Sequence, residues 1–148
     1  MDYDRIIFKL KGDKTVRILT PVNASLDECE KRLKREHDKD LVFMTRAKAE
    51  DIPADRDFRN ALVEDKDKGC KLDLDKCKSI HIDKLRILRN KKLEALDKEM
   101  LRAIEDDNAK KIAKIKEDKQ ILRDMPEIIN LDKCTSPEDV KKVSLDDI

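Results

Sequence analysis

The sequence predicts an α+β protein: a small N-terminal β-β-α-β unit and a β-hairpin, followed by a long antiparallel αα-hairpin. Three observations predict this class. Short apolar and β-branched segments separated by turns occur within the first 73 residues, and no Gly or Pro interrupts residues 74–105. Charged residues make up 47% of the 148 residues and aromatic residues only 3%. The buried apolar surface must therefore come from stripes of Leu, Ile and Val on individual helices and strands rather than from a wide hydrophobic core.

Two antiparallel strands are predicted at the start of the chain. Residues 5–10 are mostly apolar, residues 11–14 have the composition of a turn, and residues 15–19 alternate with β-branched side chains. Pro21 ends the second strand because proline cannot donate to a β ladder.

A helix and a third strand complete the first unit. Ser25 and Glu28 form a capping-box pattern, and the helix that they open is expected to end near Lys39. Its apolar stripe consists of Leu26, Cys29 and Leu33. Residues 41–44 are continuously apolar and predict a buried strand.

A β-hairpin is predicted next. Residues 60–64 and 70–73 flank a charged tip at residues 65–69 that contains Gly69. With this hairpin the small α+β domain covers residues 1–73.

Residues 74–125 are predicted to form the helical hairpin. Asp73 or Asp75 can cap the first helix, and Asn108 can cap the second, which Pro126 stops. Thirty residues of helix would extend for about 45 Å. The stripe of the first helix comprises Ile82, Leu85, Leu93, Leu96, Met100, Ala103 and Ile104.

The last segment, residues 126–148, is predicted to be a tail with one short helix. Ser136 and Pro137 have the composition of a helix start. No apolar run is long enough to span a membrane, and the N-terminus lacks the pattern of a secretory signal. The four cysteines are therefore expected to be reduced.

No enzymatic site, cofactor or metal is expected from the residue patterns. Cys77 and His81 share a helix face and Cys70 is near in sequence, but the spacing matches no zinc pattern. The only histidines are His37 and His81, and no nucleophile motif or phosphate loop occurs. A small buried thiol beside a hydrogen-bonded histidine is the favoured interpretation of Cys77 and His81.

Charge is balanced overall but uneven along the first long helix. Thirty-five basic and 34 acidic residues leave a net charge of +1, so no global field attracts nucleic acid. Residues 76–92 carry seven basic residues and one acid. Ion pairs with acids such as Asp73, Asp75 and Asp124 are the favoured interpretation. A host-directed regulator that binds nucleic acid through residues 76–92 is kept as an alternative.

Several strings in residues 50–140 together resemble a family of small proteins encoded in the tail modules of tailed bacteriophages and prophages. The most recognisable segment is Ile52-Pro53-Ala54-Asp55-Arg56-Asp57-Phe58-Arg59-Asn60-Ala61, and the later ones are Lys119-Gln120-Ile121-Leu122-Arg123-Asp124-Met125-Pro126 and Thr135-Ser136-Pro137-Glu138. The Leu-Arg-Asp-x-Pro ending also resembles that of tail-assembly and tail-fibre-assembly chaperones. Leu62 departs from the family pattern, which has an aromatic residue there, and Lys replaces much of its Ala.

The resemblance implies a tail-associated role in the cytoplasm of a bacterial host, with a phage tail or tail-fibre protein as the partner. An alternative is a minor structural subunit that stays in the virion tail, where it could form a homo-oligomer. Neither a membrane nor nucleic acid is the expected partner. The expected partner-binding residues are Arg56, Phe58, Arg59, Asn60, Leu93, Leu96, Met100 and Ile104. For Phe58 the alternative role is an anchor of the small domain.

Overall fold

The structure is a computed structural model that describes residues 2–148. Its helices and strands follow the predicted order. The α+β class and the helical hairpin are confirmed. The strands are β1 (Arg5–Leu10), β2 (Arg17–Leu19), β3 (Leu41–Ala47), β4 (Leu62–Asp65) and β5 (Gly69–Leu72). The helices are α1 (Leu26–Glu36), α2 (Leu74–Glu105), α3 (Ala109–Arg123), α4 (Met125–Ile128) and α5 (Pro137–Lys142). The chain divides into two compact units, the first ending at Lys76 and the second spanning Cys77–Ile148.

The first unit contains a three-stranded antiparallel sheet in the order β2-β1-β3 and a separate β4-β5 hairpin. Ile7 in the central strand lies opposite Ile18 of β2 and Thr45 of β3. The β1–β3 register shifts between Lys9 and Leu10. The order leaves β2 and β3 as the outer strands.

Both faces of the central strand β1 are buried, because β1 is apolar at consecutive positions. Ile6 and Phe8 pack with Leu33 of α1 on one face. Ile7 packs with Leu62 and with other residues of the hairpin and the sheet on the opposite face. Side chains alternate between the faces of a strand, so a run of apolar residues supplies both layers. The first unit is thus a sheet between α1 and the β4-β5 hairpin.

Gly69 allows the β4-β5 hairpin to pack closely against the three-stranded sheet. Its φ of +89° favours glycine, and a Cβ atom there would lie 2.7 Å from Ile7 Cδ1 and 3.1 Å from Ala47 Cβ. A side chain at this position would therefore separate the two layers.

The predicted capping box of α1 is present. Ser25 Oγ accepts from the Glu28 amide at 3.2 Å, and the Glu28 carboxylate accepts from the Ser25 amide at 3.1 Å. The helix ends at Glu36, three residues before the predicted end at Lys39, and the His37 amide donates to Leu33 O. Arg46 of β3 links this strand to α1 by pairing with Asp27 and Glu30.

The second unit is organised by α2 and α3. The Asp73 carboxylate caps α2 by accepting from the Asp75 amide at 3.0 Å, and Asn108 caps α3 by accepting from the Lys111 amide at 3.1 Å. Asp107, at φ 52°, makes the reversal between the two helices. Lys119 on α3 pairs with Asp97 on α2, so these two positions lie side by side in the antiparallel hairpin.

The tail belongs to the second unit. The helix predicted to start at Pro137 is confirmed as α5, and its Val140 is fully buried. The sequence did not predict α4: α3 ends at Arg123, and Pro126 lies in the separate helical turn that follows. The first turn of a helix accepts proline because its amides have no intrahelical partner there.

Candidate protein-interaction site

The predicted partner-binding residues on α2 differ in exposure. Leu93, Leu96 and Met100 are half-buried, whereas Ile104 is 54% exposed. Ala103, next to Ile104, is fully buried. The helix therefore has a buried line through Ala103 and turns Ile104 to solvent.

Leu101 is an exposed apolar residue of α2 that the predicted contact set did not include. It is 64% exposed and lies three positions before Ile104, so that the two side chains share one face of the helix. We call Leu101 and Ile104 the hairpin surface. A large apolar side chain outside the main stripe is the sequence signal that identifies Leu101.

Leu96 lies instead in a groove within the second unit. The groove has a volume of about 490 Å³, and its apolar lining includes Leu96, Leu122 and Leu145. At its rim, Lys92 Nζ lies 3.5 Å from an Asp146 carboxylate oxygen. This pair joins α2 to the end of the tail at the rim of the groove.

The second predicted contact, residues 56–60, lies in a segment for which the sequence predicted no helix. Arg56–Ala61 forms a 3-10 segment, and Asp55 caps it by accepting from the Asp57 amide at 3.0 Å. Asp and Asn side chains commonly bond an amide two residues onward, and this pattern starts the turn here.

Phe58 needs a correction as a contact residue. Its side chain is only 1% exposed, so it has no free surface for a partner, and the anchoring role weighed for it in the sequence fits its burial. Arg56, Arg59 and Asn60 are exposed. The two arginines line a second groove, of about 580 Å³, with Ile18 and Leu62.

Many of the cations in residues 76–92 have partners, though not the predicted acids. Lys76 donates to Lys14 O at 2.8 Å, and Arg86 pairs with Asp83 at 3.0 Å. Of the acids named in the sequence, Asp73 caps α2 and Asp124 accepts from Gln120 at 2.9 Å. Several charges of this segment thus serve hydrogen bonds and ion pairs within the chain.

Cys70, Cys77, Cys134 and His81 are buried, whereas Cys29 is half-buried. Burial raises the pKa of the Cys70 thiol, and the negative charge of Asp65 raises it further, so this group is a thiol at neutral pH. His81 Nε2 contacts Val143 O at 2.7 Å. Within residues 2–148, no three His, Cys, Asp or Glu side chains are grouped closely enough to hold a metal ion.

None of the helices in residues 2–148 has the length and apolar composition required to cross a membrane. Comparison of the chain with protein-family models, with curated proteins and with solved structures gives no match.

Proposed function

We propose that this chain is a non-enzymatic, tail-associated protein of a tailed phage or prophage that binds another tail protein during assembly. The observation that carries the proposal is the hairpin surface. Leu101 and Ile104 expose 64% and 54% of their surfaces, one helical turn apart. Exposed apolar side chains at this spacing are the anchors that a helix uses in groove packing against a partner.

The packing of α2 against α3 orders the hairpin surface before any partner binds. Ala103 on α2 and Ile115 on α3 are buried, and Lys119 pairs with Asp97 between the two helices. A surface that is already ordered loses little conformational entropy on binding. The helical hairpin is therefore suited to binding a partner protein.

The tail context of the proposal rests on the sequence resemblance over residues 50–140 and on the Leu-Arg-Asp-x-Pro ending. In this proposal the protein acts in the cytoplasm of a bacterial host while tails assemble. The partner would be a tail or tail-fibre protein encoded near this chain.

The test is co-expression of the full chain with each product of the neighbouring tail genes, followed by light scattering and calorimetry. One complex is expected, and Leu101→Lys/Ile104→Lys should weaken it about tenfold or more, because two charges would be placed in an apolar contact. The matched control is Lys98→Ala/Glu105→Ala, which changes two exposed residues of the same helix.

The proposal fails if no neighbouring tail protein binds, or if the lysine variant binds as tightly as the wild type. Purified particles give a separate readout. A protein that acts only in assembly should be absent from them, whereas its presence would assign it to the virion tail as a structural subunit.

A further inference from the structure

The outer edge of β2 has backbone groups that point away from the sheet. The Val16 amide donates to Leu62 O at 3.3 Å, so the polar backbone groups of Val16 face away from β1. In an antiparallel strand, residues two apart direct their amide and carbonyl groups to the same side. Ile18 therefore also points these groups outward, and within residues 2–148 they have no hydrogen-bond partner on that side.

A groove lies beside this edge. It has a volume of about 580 Å³ and is lined by Ile18, Leu62, Pro53, Arg56 and Arg59. Ile18 is 40% exposed and lies opposite Ile7, so its side chain is on the sheet face that carries the β4-β5 hairpin. A peptide strand added at this edge would thus contact the apolar Ile18 side chain next to the unpaired amide and carbonyl of Ile18.

The groove also carries two cations that have no acidic partner. Arg56 and Arg59 are exposed, and neither forms an ion pair within the described chain. The one acid in the lining is Asp55, whose carboxylate accepts the Asp57 amide at 3.0 Å. The lining therefore has a net positive charge.

The two arginines line one groove and suit an extended acidic chain. Arg56 and Arg59 lie three positions apart, on either side of a kink at Phe58. Alternate residues of a strand are about 6.6 Å apart and point to the same side. Two acidic side chains at alternate positions of a bound strand therefore face the same side, and each can pair with one of the two flexible guanidinium groups.

We propose that this groove binds an extended acidic peptide, which adds as a short strand beside Ile18 at the outer edge of β2 and places alternate carboxylates against Arg56 and Arg59. The Ile18 amide and carbonyl would supply the backbone hydrogen bonds, and the arginines would supply the preference for acids. A second copy of the chain fits less well, because its own Arg56 and Arg59 would add like charge. Nucleic acid lacks the strand hydrogen-bonding pattern, and no aromatic side chain lines the groove for stacking.

The probe is a capped, dye-labelled heptapeptide that alternates glutamate and valine, titrated into the full chain and followed by fluorescence polarisation. Saturable binding is expected. Arg56→Ala/Arg59→Ala should weaken it about tenfold or more, because charge-assisted hydrogen bonds are lost. The matched control, Lys31→Ala/Arg35→Ala, removes two exposed cations from α1 and should change little.

Two changes to the peptide test the backbone hydrogen bonds and the charge separately. N-methylation of the central peptide amides should abolish binding, since it removes the backbone donors and keeps the charge. Replacing glutamate by glutamine should weaken binding to the same extent as the arginine variant. Circular dichroism of both protein variants verifies that they fold.

The inference is overturned if the peptide does not bind, or if N-methylation leaves binding unchanged. It is also overturned if single-stranded DNA competes as well as the peptide, or if the groove is occupied by a second copy in a dimer that Arg56→Ala/Arg59→Ala alters. The hairpin surface takes no part in these measurements, so this inference and the proposed function fail independently.

Discussion

His81 Nε2 donates a hydrogen bond to the carbonyl oxygen of Val143, with 2.7 Å between the two atoms. Since a carbonyl can only accept, Nε2 carries the proton. His81 is 7% exposed and lies on α2, whereas Val143 directly follows α5. This bond joins residues 62 positions apart within the second unit and fastens the tail to α2.

Removing this donor should destabilise the second unit. In His81→Ala, the Val143 carbonyl loses its partner, and we expect the free energy of unfolding to fall by about 1–3 kcal/mol. Urea denaturation followed by circular dichroism measures the change. His81→Gln keeps an amide donor and should recover part of the loss. An alanine variant as stable as the wild type would mean that the bond contributes nothing to stability.

The two glycines form a matched pair for testing the close approach of the hairpin to the sheet. Both have a φ of +89°, but only a Cβ at Gly69 would meet other atoms, with Ile7 Cδ1 at 2.7 Å. Gly12→Ala should lose about 1 kcal/mol through backbone strain alone. Gly69→Ala should lose about 1–3 kcal/mol more because of overpacking. Equal thermal stabilities of the two variants would contradict the close contact.

Burial along the helical hairpin predicts opposite outcomes for two apolar residues. Ile115 is 3% exposed on α3, whereas Leu101 is 64% exposed on α2. Ile115→Ala should lower the free energy of unfolding by about 2–5 kcal/mol, since it leaves a cavity. Leu101→Ala should change it by about 0.5 kcal/mol or less, since the site is solvated. Chemical denaturation of both variants checks the assignment of the buried and exposed helix faces.

The Glu30–Arg46 pair should make stability depend on pH. A hydrogen bond from Arg46 lowers the pKa of the Glu30 carboxyl, and the two groups are 2.7 Å apart. Because the folded pKa is below the unfolded value of about 4.3, the pair stabilises the protein above that pH. This contribution disappears as the pH falls through the lowered folded pKa.

The comparison of wild type with Glu30→Gln measures the effect. The stability difference between them should be constant near neutral pH and shrink in acid, because Glu30 of the wild type becomes protonated. In the Arg46→Met background the Glu30→Gln difference should lose this dependence, since the partner charge is gone. A difference that grows in acid would show that the pair does not stabilise the ionised carboxylate.

Local chemistry was enough to predict most of the elements. The capping box of Ser25 and Glu28, and the Asn108 cap, join residues three positions apart, so neighbouring side chains alone determine where α1 and α3 begin. The apolar run of β3 predicted a strand, although it extends to Ala47 instead of ending at residue 44. The segment Arg56–Ala61 was not predicted as helical, because a short 3-10 turn has no periodicity to detect.

The candidate sites were predictable only in part. The sequence identified Arg56, Arg59 and Ile104, which are exposed, but also Phe58, which is buried. It missed Leu101 because hydrophobic periodicity shows which residues share a helix face and not which face is covered. It also could not show that the backbone groups of Ile18 point away from the sheet, since the hydrogen-bonding direction of an edge strand depends on its neighbours.

By itself, the sequence determined the α+β class, the order of the elements and the length of the helical hairpin. These properties follow from spacing, caps and turn residues within a few positions of one another. Only the tertiary structure decided which side chains remain at the surface and which edge of the sheet stays open. Those properties depend on contacts between distant segments, such as Val16 with Leu62 and Asp97 with Lys119, whose pairing no local pattern specifies.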